Sequence, residues 1–437
     1  MTKTEDASPT ADKGRALRHS PLRRGMEPLD ALAARARKLD AALADLARHG
    51  DAAHQRAVRR LRDQLAAVEP AVTLLGQVKS GKTTLVNAMS GWADLLPSDV
   101  NPWTSVVTSL HLRPDMAEGT SRAAFTFFGA DEWDRLMAKG GKLGELADRA
   151  GAAGELQKIR EQIEAMRDAS RRRLGRRFEL LLGQTHDYGY FDKNLVERYI
   201  CLGDLYSPDD PGAAPADQGR FADITRSADL FLHAPALPVP LCLRDTPGVN
   251  DTFMMREQVT LQALRDSRIC VVALSAHQAL TAVDMGVIRM ISTLRARDVV
   301  IFVNRIDELS DPATQVPEIR DSIAATLKAR GGPEDAQIIF GSADWATRVL
   351  ACQIDAMPDA SRDALMSWAA ARLGPGDRDE DAASMIWTLS GLPELYAALS
   401  ARIAEGPGNE ALSRIARAAM NLASGLRLAQ SVTVSAT

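Results

Sequence analysis

One segment of eight residues, Gly-Gln-Val-Lys-Ser-Gly-Lys-Thr at positions 76–83, constrains the fold more than any other part of this sequence. It matches G-x-x-x-x-G-K-[ST], a loop whose backbone N–H groups surround a phosphate together with the N-terminus of the next helix. The apolar residues 71–75 predict a buried strand before the loop, and residues 84–89 predict the start of a helix after it. Because the motif requires this strand–loop–helix setting, we predict a nucleotide-binding site. The alternative is a chance Gly-rich turn before a helix.

The motif gives each of its residues an expected role. Lys82 is predicted to reach the β- and γ-phosphates, and the Thr83 hydroxyl is predicted to bind Mg²⁺. The other positions expected to contact the nucleotide are Gly76, Gln77, Val78, Lys79, Ser80, Gly81 and Thr84.

Composition limits the class of protein and its partners. The 437 residues are 46% hydrophobic and 25% charged, which is typical of a soluble globular protein. A formal net charge of -4 gives no general attraction to nucleic acid, so no nucleic-acid partner is expected. The four cysteines form no C-x-x-C pair, the N-terminus has no signal-peptide pattern, and no run of apolar residues is long enough to span a membrane. A cytoplasmic location is therefore expected.

Helical patterns occur at both ends of the chain. Apolar residues recur at helical spacing in segment 27–69, with a break at Gly50 and Asp51, and predict two helices there. A further amphipathic helix is predicted from Leu412 to Leu426. We expect segments 27–69 and 406–437 to bury their apolar stripes against each other in a small bundle. Residues 1–26 are polar and are expected to be a disordered tail.

Between these ends, residues 70–405 alternate strand-like and helical patterns. This alternation predicts an α/β domain with a mostly parallel sheet and helices on both faces. Helices are expected to be inserted at about 129–204, followed by an exposed loop at 203–220. The predicted strands are 71–75, 105–112, 228–234, 240–245, 269–275, 298–304 and 336–341.

A second motif, Asp-Thr-Pro-Gly at 245–248, follows a predicted strand. Asp245 at the strand end is expected to hold the Mg²⁺ shell through water. Gly248 is expected to offer its backbone N–H to the γ-phosphate, since it has no side chain to block the approach.

A third motif selects the base. Asn304, Arg305 and Asp307 belong to the pattern [NT]-[KR]-x-D after a predicted strand. The Asp307 carboxylate can accept hydrogen bonds from N1–H and the exocyclic amine of guanine, and adenine lacks this pair of donors. The alkyl part of Arg305 can lie over one face of the base. Segment Ser342-Ala343-Asp344 is the expected place for a backbone N–H that meets the guanine oxygen, so GTP is the predicted nucleotide.

The order of these motifs resembles that of a GTPase G domain, and the finer sequence resembles the dynamin superfamily, specifically bacterial dynamin-like proteins. Residues 96–108 are similar to the first switch of that family, and residues 275–281 are similar to its segment after the strand that follows the second switch. The helices on both sides resemble the neck that joins the family's G domain to its stalk. The resemblance covers roughly residues 27–430.

This resemblance implies roles that the motifs alone do not give. Thr104 would be the switch threonine, which contacts Mg²⁺ and fixes the attacking water, with Thr108 as the alternative. The resemblance also implies a homodimer through G domains, and a membrane surface or a protein partner for the helical regions at the periphery of the membrane. Only residues 406–437 follow the last predicted helix of the G domain, which is too short for a stalk, so membrane remodelling is not predicted.

Catalytic assistance has one candidate. The residue after Asp-Thr-Pro-Gly is Val249, and a valine cannot orient water. Lys79 in the phosphate loop could neutralise charge on the β–γ bridge oxygen when a partner G domain closes over the site. The alternative is a solvated loop lysine with no specific role.

Two classes of function are therefore open. One is a self-associating GTPase whose turnover rises on dimerisation. The other is a GTP-controlled binding switch for a protein or ribosomal partner, with slow intrinsic hydrolysis. An ATP-dependent kinase or transporter is disfavoured by Asp307.

Overall fold

A mixed sheet of nine strands is the centre of the fold. The strands in chain order are β1 (Ala71–Gly76), β2 (Val107–Arg113), β3 (Ser121–Phe127), β4 (Thr185–Tyr188), β5 (Thr225–His233), β6 (Leu241–Asp245), β7 (Ile269–Ser275), β8 (Asp298–Asn304) and β9 (Gln337–Phe340). Their order across the sheet is β4-β3-β5-β2-β6-β1-β7-β8-β9. The computed structural model describes residues 23–49, 51–98, 106–132, 168, 170–201, 219–248, 267–278, 280–293, 298–333, 336–374 and 381–435.

Parallel pairing dominates the sheet, as the sequence predicts. Strands β6, β1, β7, β8 and β9 are parallel to their neighbours in that series, and β2 is parallel to β5. Strand β2 is antiparallel to β6, and β3 is antiparallel to both β4 and β5. Almost every residue of β1, β7 and β8 is buried. Because successive residues point to opposite faces, both faces of these strands are covered.

Two strands at one edge were not predicted. The sequence of β3 contains Arg122 and two alanines, so it lacks the apolar run by which the other strands are recognised. Strand β4 has only four residues, Thr-His-Asp-Tyr, and lies within the segment that was predicted to be all helical, 129–204. The described part of that segment therefore combines helices with an edge strand that pairs with β3.

The helices surround the sheet and extend beyond it. Several helix ends carry the expected caps, such as Asp51, which accepts hydrogen bonds from the N–H groups of Ala53 and His54. The helices are α1 (Glu27–Arg48), α2 (Ala52–Ala66), α3 (Lys82–Ser90), α4 (Arg177–Leu181), α5 (Lys193–Ile200), α6 (Ala282–Thr293), α7 (Pro312–Ala329), α8 (Ala343–Leu350), α9 (Asp359–Arg372), α10 (Ala382–Leu389), α11 (Leu392–Glu405) and α12 (Pro407–Ser435).

The bundle predicted from both chain ends is present. Helices α1, α2 and α12 contact one another, and α1 also packs on α11. The bundle has its own apolar centre, formed by Leu43, Val58, Leu61 and Ile415. Leu43 is fully buried there, because the break at 50–51 turns α2 back along α1.

The packed structure begins earlier than the sequence suggested. Residues 1–22 lie outside the described residues, but Met26 at the end of the predicted tail is buried. The Gly25 carbonyl accepts a hydrogen bond from the Ser400 hydroxyl at 2.6 Å. Gly25 has φ +83°, and a Cβ at this position would lie 2.3 Å from the Pro393 carbonyl oxygen. Arg23–Met26 thus belong with the packed chain rather than with a tail.

Across the described residues, we find no helix with the length and apolar character that crossing a lipid bilayer requires.

Candidate functional site

The predicted phosphate loop lies between β1 and α3, and two glycines let it pass close to neighbouring strands. Gly76 has φ +149°, and a Cβ there would lie 2.3 Å from the Ala273 carbonyl oxygen at the end of β7. Gly81 has φ +78°, and a Cβ there would lie 2.3 Å from Asn304 Nδ2 at the end of β8. Larger residues at both positions would push the loop away from the sheet.

Lys82 is the first residue of α3, and its side chain is buried. Its ammonium donates a hydrogen bond to the Gln77 carbonyl oxygen at 3.0 Å. The positive charge therefore lies inside the curve of the loop, where the prediction places the phosphates.

The two residues predicted to hold Mg²⁺ come together although they are far apart in sequence. The Thr83 hydroxyl donates to Asp245 Oδ2 at 2.9 Å. Asp245 is fully buried, and its Oδ1 has no hydrogen-bond partner among the described residues. Burial raises the pKa of Asp245, whereas the Lys82 charge and the Thr83 hydrogen bond lower it. A hydroxyl beside a buried carboxylate oxygen without a partner fits the oxygen ligands that Mg²⁺ prefers.

Gly248 approaches the phosphate loop closely. A Cβ at Gly248 would lie 2.8 Å from the Val78 backbone nitrogen, so only glycine fits here without a shift of the loop. The Thr246 hydroxyl donates to the Leu74 carbonyl at 2.7 Å and fastens the same segment to β1. This arrangement suits the predicted contact of the Gly248 N–H with a γ-phosphate.

Asn304 joins two loops of the site. Its Nδ2 donates to the Ser80 carbonyl at 3.1 Å, and its Oδ1 accepts from the Ala343 N–H at 2.9 Å. Since both ends of this buried amide contact protein backbone, Asn304 holds the phosphate loop against the Ser342-Ala343-Asp344 segment.

Asp307 lies in a short 3-10 turn, Ile306–Glu308, directly after β8. Its side chain is buried, and its Oδ1 has no hydrogen-bond partner among the described residues. Burial raises the pKa of Asp307, and a hydrogen bond with Ser342 opposes this effect. A buried carboxylate oxygen in this state is suited to the N–H donors of guanine.

Arg305 contacts the phosphate loop in this structure. It has φ +70°, and its Nη1 donates to the Lys79 carbonyl at 2.8 Å. Its Nε donates to Glu308 Oε1 at 2.9 Å. The residue expected to cover the base thus also holds Lys79, whose own φ is +67°.

The third predicted segment is largely engaged within the protein. The Ser342 N–H donates to the Ser390 carbonyl at 3.0 Å, and the Ala343 N–H donates to Asn304. The Asp344 carboxylate pairs with Arg348 at 2.6 Å. The N–H of Asp344 lies in the first turn of α8, where helix geometry provides no acceptor. Of the three residues, its N–H is the one best suited to meet a guanine oxygen.

A cavity of about 270 Å³ adjoins this arrangement. Its walls come from the phosphate loop at 77–80, the end of β7 and the turn that holds Arg305 and Glu308. Asp284 also lines this cavity and contacts Gln77, although the motifs did not identify it. The pattern Thr281-x-x-Asp284 at the start of α6 is a helix-capping signature and could have drawn attention to it.

Three sequence predictions fall outside the described residues: the switch threonine Thr104, the residue Val249 and most of segment 129–204. Thr108, the alternative switch threonine, is buried within β2. Its hydroxyl lies 3.3 Å from the Val106 carbonyl. Thr84, on the first turn of α3, is half-buried.

Fold and site together define a P-loop nucleotide-binding protein with the architecture of a G domain. A sequence profile of the dynamin family matches residues 72–307, which is more than half of the chain. The chain belongs to the dynamin family. Membership implies the GTP-binding G domain that the motifs predict.

Solved structures give the same fold. Two structures of an oligomerised bacterial dynamin pair are similar to this chain, with TM-scores of 0.60 and 0.54 at 15% and 17% sequence identity. The alignments cover 92% and 93% of this chain but only 48% and 56% of the two solved chains. The chain therefore spans about half the length of these structures, and the likeness concerns the fold. No curated protein matches the chain.

Proposed function

We propose that this protein binds GTP with Mg²⁺ and hydrolyses it to GDP and phosphate. The observation that carries the proposal is a pair of buried carboxylate oxygens without hydrogen-bond partners among the described residues, Asp245 Oδ1 and Asp307 Oδ1. The first lies beside Thr83 at the phosphate loop, and the second lies in the base-recognition motif. Asn304 connects these two regions.

Each residue then has a definable task. Lys82 would exchange the Gln77 carbonyl for phosphate oxygens, and the Gly248 N–H would donate to the γ-phosphate. Thr83 and Asp245 would hold Mg²⁺, with Thr104 as the third residue proposed for this role. Mg²⁺ supplies charge neutralisation at the β- and γ-phosphates when it is bound. Thr104 would also orient the attacking water, since Val249 offers no polar group for this task.

We further propose that pairing of two G domains accelerates hydrolysis. Val78 is 41% exposed, and Lys79 beside it is also exposed. The Arg305 contact fixes the Lys79 carbonyl, so the Lys79 backbone is held while its ammonium is free to turn towards an approaching surface or a nucleotide. A second copy that covers this edge would exclude water and strengthen the interaction of the ammonium with the phosphates.

Self-association and peripheral membrane contact are also proposals. Their support is similarity to structures described as an oligomerised pair that senses and tethers membranes over long range. In this proposal residues 70–405 are the G domain, and segments 27–69 and 406–437 form a neck in a cytoplasmic protein.

The first test is GTP turnover per molecule over a wide range of protein concentration, with Lys82→Ala as the inactive control. We expect turnover to rise with concentration, because a partner completes the site. A slow rate that is the same at every concentration would favour the GTP-controlled binding switch instead. Wild-type turnover equal to that of Lys82→Ala would contradict hydrolysis itself.

Replacing Lys79 by alanine separates assisted from basal turnover. We expect the concentration-stimulated rate to fall about tenfold, because one positive charge near the β–γ bridge oxygen is lost. The dissociation constant for GTP should change less, since Lys82 remains. Lys38→Ala, an exposed lysine on α1, is the matched control. Equal stimulation in the Lys79 and Lys38 variants would show that Lys79 is only a solvated loop lysine.

A further inference from the structure

The side chain of Gln77, the second residue of the phosphate loop, is bound to a segment more than two hundred positions away. Gln77 Nε2 lies 2.6 Å from the Thr281 hydroxyl and 2.8 Å from Asp284 Oδ2. These two residues begin α6, which follows β7 on the opposite side of the loop from Asp245. The phosphate loop is thereby fastened to the segment Ser275–Thr281.

The hydrogen-bond pattern of this group is fully determined. Asp284 is buried, and its Oδ2 accepts from both the N–H and the hydroxyl of Thr281 at 2.9 Å. Since the Thr281 hydroxyl donates to Asp284, it accepts from Gln77. Both protons of the Gln77 amide are then used, one on Thr281 and one on Asp284. The amide can therefore adopt one orientation only.

Helix capping does not explain this arrangement. Thr281 and Asp284 alone satisfy the first turn of α6, and this pair needs no third residue. Gln77 adds a link that serves the phosphate loop. Its carbonyl oxygen accepts from Lys82 Nζ at 3.0 Å and from the Ser80 N–H at 3.3 Å. One residue thus connects the start of α6 to the lysine of the motif.

A second bridge leads to the same segment. Arg305 holds the Lys79 carbonyl and bonds to Glu308. Glu308 Oε2 in turn lies 2.9 Å from His277 Nε2. The turn 77–80 is therefore connected to segment Ser275–Thr281 through His277 at one point and Thr281 at another.

We propose that Gln77 and Asp284 are positioning residues for nucleotide hydrolysis. Their contact holds the turn 77–80, and through it Lys82, in the conformation that fits the triphosphate. It also makes the loop conformation depend on segment Ser275–Thr281. The proposal rests on the proposed GTPase function, but the contact itself can be tested without turnover.

The test is an exchange of the two side-chain types. Gln77→Glu removes both donors and places a second carboxylate beside Asp284, so we expect kcat for GTP to fall at least tenfold while KM changes less than threefold. In the double variant Gln77→Glu with Asp284→Asn, the new asparagine can donate to the new carboxylate and still accept from the Thr281 N–H. We expect this variant to recover most of the lost kcat, which a residue with only a packing role would not show. Gln353→Glu, an exposed glutamine, is the matched control.

A second readout is hydrogen exchange of the loop amides without nucleotide. Exchange at 77–81 should be faster in Gln77→Glu and return towards the wild-type rate in the double variant. Unchanged kcat and exchange in Gln77→Glu would overturn the proposal, as would a double variant no better than the single one. If the wild type hydrolyses no GTP, the proposed function fails and the exchange measurement alone decides whether Gln77 and Asp284 position the loop.

Discussion

Replacing Asp307 by asparagine is expected to change the base preference of this protein from guanine to xanthine. Asp307 is buried and has a carboxylate oxygen without a hydrogen-bond partner among the described residues. In our proposal the carboxylate accepts hydrogen bonds from N1–H and the exocyclic amine of guanine. An asparagine presents one acceptor and one donor, so its N–H₂ would face the guanine amine without an acceptor. Xanthine has a carbonyl in place of that amine and restores both hydrogen bonds.

The expected change is large, because a buried polar group without a partner is costly. GTP affinity should fall by at least about 10²-fold, and the GTP-to-XTP preference should shift by about 10³-fold or more. Both nucleotides are measured by competition against a fluorescent guanine nucleotide. Asp359→Asn, the same substitution at an exposed site on α9, is the control. If Asp307→Asn still preferred GTP to XTP by the wild-type ratio, Asp307 would not read the base.

The fold was largely predictable where sequence and environment agree. Strands β1, β7 and β8 are buried on both faces, so their sequences are nearly continuous apolar runs. Edge strands give no such signal. Strand β3 alternates buried and half-exposed residues, and β4 is too short and polar to be recognised, since its pairing with β3 rather than its own sequence makes it a strand.

The site shows a similar division. The motifs predicted that Thr83 and Asp245 would come together, because each motif contains its own local geometry. They did not predict that Asn304 would hold two loops or that Gln77 would bind Asp284. These contacts join residues over two hundred positions apart, and which side chains meet is decided by the packing of β7, β8 and α6 around the loop. Sequence patterns identify residue types that bind a ligand more readily than residues that hold them.

A second polar group lies on the sheet at the junction with the helical bundle. His111 on β2 is stacked on Phe231, with ring centroids 4.3 Å apart. Its Nδ1 lies 2.6 Å from Glu69 Oε2, and its Nε2 lies 3.3 Å from Asp229 Oδ1. Glu69 belongs to the short connection between α2 and β1, so this contact joins the bundle to the sheet.

The charge state of His111 follows from these neighbours. Burial alone lowers the pKa of His111, but hydrogen bonds to Asp229 and Glu69 and their negative charges raise it to about 9. Cys242 also lies near, within 4.8 Å of the ligand atoms of Glu69 and His111, and burial raises the pKa of its thiol to about 12. An imidazolium and a neutral thiol are not metal ligands, so we interpret the group as an ion-pair network. Arg113, 3.9 Å from Glu69 Oε1, adds a further positive charge.

The raised pKa makes stability depend on pH in a defined window. The folded protein keeps the His111 proton up to about pH 9, whereas the unfolded chain loses it near the ordinary value of 6.5. The stabilisation is fully present below pH 6.5 and is lost as the pH rises through 9. A difference of this size corresponds to about 3 kcal/mol of the free energy of unfolding.

Urea unfolding of the wild type and His111→Gln at a series of pH values measures this contribution. The difference in free energy of unfolding between the two proteins should shrink by about 3 kcal/mol between pH 6.5 and 9. His186→Gln provides the contrast, because burial lowers the pKa of His186 and its contribution is lost as the pH falls instead. A constant difference between wild type and His111→Gln across this window would mean that His111 is neutral in the folded protein. Its contacts with Glu69 and Asp229 would then be ordinary hydrogen bonds, and the junction between bundle and sheet would not depend on the charge of His111.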